Sequence, residues 1–352
     1  MFKRSIGFML AAVMTATLLA GCQGEKETAD EKDTKVADAS EETEKESGKS
    51  TDDKSTDGKM KIGFANLTDS GDYMVWVKKG MEKAAEENGV ELICVDNEAD
   101  GATAVKNIDT LISSGVQCVI EYMNDSAINS QIKDILDEKG IPVIAVDVPV
   151  ENAKGAATYM GGDNHKAGFI CGENLGQAAL DKWDGEIDLY ISVETMSNGE
   201  SNTQRTGGIL EGIRSKIEVP DDKVIRVDAK DQTAEAQKVV TDALTANPGA
   251  KRILIGCNQD DETQGAFAAV EMANRQEQVL LAGCGPFGST FENLRKPEPN
   301  FWIGSASFSP EQYGDVAIPL AIDLIQGKEV PEESYVTHYF LTQENIDQYY
   351  PE

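Results

Sequence analysis

The sequence predicts an α/β protein built as two doubly wound parallel-sheet halves, and three observations carry that expectation. Short apolar runs bounded by turns alternate with longer stretches of helical period. The strand runs are continuously apolar, as expected of parallel strands covered by helices on both faces. The alternation then starts afresh near Ile187. The stretch from Lys59 onward, roughly 294 residues, is also near the size at which one core divides into two lobes.

The elements follow in order. Residues 61–66 read as the first strand. A helix comes next, with Tyr73, Val77, Gly80, Met81, Ala84 and Ala85 on one face and Asn88-Gly89 as its stop, since glycine accepts the left-handed conformation. Residues 90–95 form the second strand. They are followed by a helix carrying Val105, Ile108, Leu111 and Ile112, a strand over 117–122, a helix carrying Ile128, Ile132, Ile135 and Leu136, and a strand over 143–146. The second half opens with a strand over 187–193 and a helix around 206–213. Next come a strand over 224–227, a helix with Ala236, Val239, Val240, Ala243 and Leu244, a strand over 252–255, a helix over 262–272 and a strand over 279–282. The halves repeat in layout, not residue by residue.

Ahead of this domain, Lys3 and Arg4 precede an apolar run from Ile6 to Ala20, which matches an export signal and is too short at roughly 15 residues to span a bilayer comfortably. Leu19-Ala20-Gly21-Cys22 resembles the lipobox of bacterial lipoproteins. The resemblance implies cleavage before Cys22, acylation of its thiol and anchoring to a membrane face; the alternative is a secretory signal with a chance cysteine. Residues 23–58 are almost all acidic, basic or small polar, with about 13 acids and about six lysines, and are expected to form a disordered tether. The formal net charge of the whole chain is −30. Such a surface argues against nucleic acid, whose phosphates need lysine and arginine.

Over nearly all of the domain the chain resembles the periplasmic sugar-binding proteins of ABC importers, of the ribose- and galactose-binding type. The resemblance rests on Lys61-Ile62-Gly63-Phe64, Tyr73 and Lys79-Gly80, and on the run from Ile141 to Asp147. It continues through Gly162-Asp163-Asn164, Arg205-Thr206-Gly207-Gly208, Leu244 to Pro248, Asn258-Gln259-Asp260-Asp261 and Leu324 to Lys328. It implies two lobes joined by a three-crossing hinge near Asp163, Phe308 and His338. The segments are then a signal over 1–21, a tether over 22–58, a first lobe from 59–163 plus 309–337, and a second lobe from 164–308 plus 338–352. It implies a monomeric, lipid-anchored protein on the extracytoplasmic face of the cell membrane. Such a protein captures a monosaccharide or related polyol and delivers it to a membrane permease. The alternative is a receptor feeding a membrane signalling protein. Neither an enzyme activity nor a cofactor is implied.

Ligands of open parallel sheets sit beyond the carboxyl ends of the strands. The polar residues after each apolar run are therefore the candidates: Asp69, Asp72 and Tyr73, then Asn124 with Asp125, then Asp147. In the second half they are Asn202 and Arg205, Asp231, Gln259 between Asn258 and Asp260, and Phe308 near the last crossing. Carboxylates, planar amides and an arginine fork suit hydroxyls, and aromatic rings suit the apolar face of a sugar. Asp and Asn at these places also cap helices and form turns. Where ribose-type binders carry arginine after the fourth-strand aspartate, this chain has Val148. Their paired aromatics become Tyr73-Met74, an acidic residue becomes Gly285, and a glutamine becomes Phe308, so the familiar ribose or galactose pose is not expected.

Other chemistries are weak. Gly283-Cys284-Gly285-Pro286-Phe287-Gly288 fits a dinucleotide fingerprint but lies late in the chain and contains proline, so a tight turn is expected. His165 and His338 have no metal-ligand spacing, and there is no basic helix-turn-helix ahead of Lys61. Cys94, Cys118, Cys171, Cys257 and Cys284 read as buried thiols, with Cys94–Cys118 and Cys257–Cys284 the pairs that strand adjacency would permit.

Overall fold

The computed structural model describes residues 58–150, 158–296 and 300–351. The signal, the lipobox Cys22 and the tether through residue 57 lie outside the described residues. In chain order the first group of elements is β1 (Lys61–Asn66), α1 (Asp72–Glu87), β2 (Glu91–Asp96), α2 (Gly101–Ser113), β3 (Cys118–Glu121), α3 (Ser126–Asp137), β4 (Val143–Val146) and β5 (Thr158–Gly161). The second is α4 (Asn164–Trp183), β6 (Leu189–Glu194), α5 (Gly199–Arg214), β7 (Val224–Asp228), α6 (Thr233–Ala246), β8 (Ile253–Cys257), α7 (Asp260–Met272), β9 (Val279–Cys284), α8 (Ser289–Leu294) and β10 (Trp302–Ser307). α9 (Tyr313–Ile325), β11 (Glu333–Tyr335), β12 (Tyr339–Leu341) and α10 (Ile346–Tyr349) close the chain.

These strands make two six-stranded sheets, ordered β11-β5-β4-β3-β1-β2 and β12-β10-β9-β8-β6-β7. The first is parallel throughout, and the second is parallel except for the antiparallel edge pair β10–β12. Each sheet carries an apolar cluster on either face, which explains the continuous apolar runs. In β1, Phe64 packs into the cluster with Val77 of α1 and Ile318 of α9, whereas Ala65 faces Ile108 of α2 and Ile132 of α3.

The chain passes between the sheets three times: from β5 into α4, from β10 into α9, and from β11 into β12. His338 ties all three passages. Its Nε2 accepts from the Asp163 N–H at 3.0 Å, which leaves Nδ1–H to donate to the Ser307 carbonyl, also at 3.0 Å.

Two expectations are corrected. Cys94 and Cys118 are not on neighbouring strands, because β1 lies between β2 and β3. Cys257 and Cys284 are on adjacent strands but face opposite sides of the sheet, in different clusters. All five of these thiols are free. The sequence reading also gave no bounds for α4. This helix meets α5 through glycines: a Cβ on Gly172 would strike the Ile209 carbonyl, and one on Gly212 the Phe169 carbonyl. Glycine removes the apolar stripe that marks a helix in sequence, and here it lets two backbones touch.

Candidate functional site

The carboxyl ends of both sheets border one cavity of about 380 Å³, within the size range of small-ligand sites. A wider groove of about 820 Å³ runs along α4 and β10 on the second lobe alone. The smaller cavity is the stronger candidate, because side chains from both lobes converge on it beside a carboxylate and a guanidinium.

Asp147 follows β4 in a left-handed conformation (φ 58°), which a short polar side chain tolerates. Its Oδ2 accepts from Tyr122 at 2.5 Å, and both oxygens accept from the Tyr313 hydroxyl at 2.9 Å. The Gly162 N–H adds a bond to Oδ1 at 3.1 Å. Tyr73 in turn lies 2.6 Å from the Tyr313 hydroxyl. Burial pushes the Asp147 carboxyl above the usual carboxylate range, while the two tyrosines, Gly162 and Arg205 pull it back.

Arg205 comes from α5, against the glycine contact with α4. Its Nε and NH2 group both donate to Asn164 Oδ1, at 3.2 and 2.7 Å, and NH1 donates to the Asn258 carbonyl at 2.8 Å. The guanidinium lies 4.5 Å from the Phe308 ring centre, a cation–π distance. Gln259 borders the same cavity and turns its NH2 group to Asp231.

The structure brings together Tyr73, Asp147, Arg205, Gln259 and Phe308. Asp72 lies in an adjoining hollow with Gln259 and Asp260, and Asp231 stands behind Gln259 as its hydrogen-bond partner. The remaining candidates lie outside the cavity, and three of them have structural partners instead. Asp69 pairs with Lys78 and accepts from Asn66 at 3.0 Å, bracing the turn after β1. Asn202 is buried, accepting from the Thr195 N–H at 3.0 Å and donating to Glu194 at 3.3 Å. Asn124 is exposed and borders none of the cavities described here, while Asp125 caps α3 through the Ala127 and Ile128 N–H groups. The cap-or-turn role wins at Asp69 and Asp125 because α1 and α3 begin within a few residues of them.

Sequence reasoning missed Tyr122, Tyr159, Asn164, Ser201 and Tyr313, all of which line the cavity. Tyr122 and Asn164 carried a signal, since each directly follows a strand or a crossing. Tyr313 did not, being 240 positions from Tyr73. The glycine run after β9 forms a turn with Gly285 and Gly288 at positive φ (72° and 49°), as expected, and Gly285 borders the cavity.

Comparison with known proteins agrees with this geometry. The profile of the periplasmic binding protein domain matches residues 62–329. The ribose import binding protein RbsB of Bacillus subtilis is 24% identical over 274 residues, 76% of this chain and 83% of that protein. The xylitol-binding protein of Mycolicibacterium smegmatis is 21% identical over 280 residues, 79% of this chain and 76% of that protein. Among solved structures, an ABC-transporter solute-binding protein of Actinobacillus succinogenes with bound D-allose superposes with a TM-score of 0.67 at 24% identity, covering 82% of this chain and 100% of that one. Two parallel-sheet lobes, a triple crossing and a shared polar cleft thus coincide with the matched profile, and the chain belongs to the periplasmic binding protein family.

Proposed function

We propose that this protein is an extracytoplasmic solute-binding lipoprotein that captures a monosaccharide or related polyol between its lobes and delivers it to an ABC importer. The observation that carries the reading is the convergence of Asp147, from the first sheet, and Arg205, from the second lobe, on one aromatic-lined cavity. A ring with hydroxyls at its edge and C–H groups on its face meets both kinds of contact there. Ligand that touches both lobes favours the closed arrangement over the open one by those bridging contacts alone. Ribose import in the relatives and bound D-allose in the structural neighbour support the ligand class. Cys22 supplies the lipid anchor, and labelled palmitate is expected to enter the wild type but not Cys22→Ala.

A thermal-shift screen against sugars and polyols tests the ligand class. A ligand at 100 times its Kd adds about 2.7 kcal/mol to the native state. A clear rise in Tm with at least one member is expected, and no rise with any member contradicts the reading.

A further inference from the structure

The cleft is chemically polarised. Tyr122 gives its one hydroxyl hydrogen to Asp147, and Tyr313 does the same. The hydrogen between Tyr73 and Tyr313 must then come from Tyr73. With Asp147 ionised, these three phenols therefore have no hydrogen left for a ligand and offer it only lone pairs and ring faces, while the fourth, Tyr159, donates to the Gly162 carbonyl at 3.4 Å. Gln259 spends one of its two NH2 hydrogens on Asp231 and keeps its carbonyl oxygen free. Donors are scarcer. Arg205 already spends hydrogens on Asn164 and Asn258, and the Asn164 amide group, Ser201 and the second NH2 hydrogen of Gln259 supply the other side-chain donors.

Charge points the same way. The cavity adjoins two hollows, sharing Gln259 with one and Asp147 with the other. Among the described residues, seven carboxylates line the three spaces, including Asp72, Asp260, Asp261 and Glu200, and Arg205 is the single basic residue lining them. A cleft of one predominant sign concentrates ligands of the other. Aromatic faces beside a carboxylate also suit an ammonium group.

We propose that the ligand is a cationic polyol, an amino sugar or aminopolyol. Its protonated amine meets the Tyr73–Tyr122–Asp147 wall and its hydroxyls meet Arg205 and Asn164. The inference rests on the sugar or polyol reading and narrows it.

Calorimetry on the full chain with matched sets tests it, each set holding an amino sugar, the parent sugar with hydroxyl in place of amine, and the N-acetylated form. The amine is expected to bind at least about tenfold more tightly than its parent in one set or more, the usual scale of a charged hydrogen bond. N-acetylation should abolish the gain, and added salt should reduce it. In Asp147→Asn the preference for the amine over its parent should shrink severalfold. A parent sugar that binds as tightly as its amine, or more tightly, overturns this inference and leaves the sugar reading intact. Failure of every member of every set to bind overturns both. The acetylation and salt arms use the unmodified protein, so the outcome does not depend on the variant folding.

Discussion

The two walls of the cleft are built by opposite strategies. The first-lobe wall is organised by one carboxylate: Asp147 collects hydrogen bonds from Tyr122, Tyr313 and the Gly162 N–H, so residues distant in sequence depend on a single side chain. The second-lobe wall is organised by packing. Arg205 sits where it does because α4 and α5 approach through glycines and because Asn164 and the Asn258 carbonyl receive its hydrogens. One wall is held by charge and the other by shape, so they should fail differently.

The largest expected effect on stability is at Asp147. Its carboxylate serves the native fold as well as any ligand, contrary to what its position after a strand suggests when read alone. Asp147→Ala strips the charged partner from two phenols and puts alanine in a left-handed conformation. Ligand-free unfolding free energy should fall by roughly 2–4 kcal/mol in chemical denaturation. Arg205→Ala should change it much less. Equal losses would erase the distinction between the walls.

The next effect belongs to the packed wall. Gly172→Ala forces a methyl group against the Ile209 carbonyl. Parting α4 from α5 should cost about 1–3 kcal/mol. Gly207, beside the contact in α5, has open space where a Cβ would go, and Gly207→Ala should be neutral or slightly stabilising. A neutral Gly172→Ala would show that the two helices are free to move apart.

The smallest effect concerns the hinge that joins the walls. Burial lowers the pKa of His338, the Ser307 carbonyl and Asp163 oppose the shift, and Arg205 and Lys166 add to it. A histidine held neutral contributes its stability fully above the unfolded value near 6.5, and loses it as pH falls from there toward the folded value. Glu262, raised to about 7 chiefly by burial, and Glu121, raised to about 8 by burial, act with the opposite sign, favouring the fold as they take up protons. The difference between wild type and His338→Gln isolates the histidine. It should narrow on acidification from pH 7 toward 5, and a constant difference would remove His338 from the hinge's pH response.

Much of the fold was legible because a strand covered on both faces must be apolar throughout. Residues 61–66 and 143–146 are such runs, and they coincide with β1 and β4. Other strand ends moved by a residue or two, because apolar character marks the covered stretch and not the last ladder bond. The hidden part of the fold is the part that depends on sheet order. Nothing local to Cys94 or Cys118 reveals that the first strand of the chain sits between theirs. The site divides the same way. Asp147, Gln259 and Tyr73 follow from positions at or shortly after strand ends, whereas Tyr313 on α9 is brought to Asp147 by the fold alone. Asn202 looked like a ligand group and instead satisfies buried Thr195 and Glu194, a role that shows only when the neighbours are known.

The central claim is that one ligand is gripped by both walls at once, and calorimetry on a ligand found by the thermal-shift screen tests it most directly. Titrated into the wild type, Asp147→Ala and Arg205→Ala at a temperature where all three are folded, that ligand should bind each variant at least about tenfold more weakly than wild type. Binding to Asp147→Ala as tight as to wild type would contradict the account and put the binding site elsewhere.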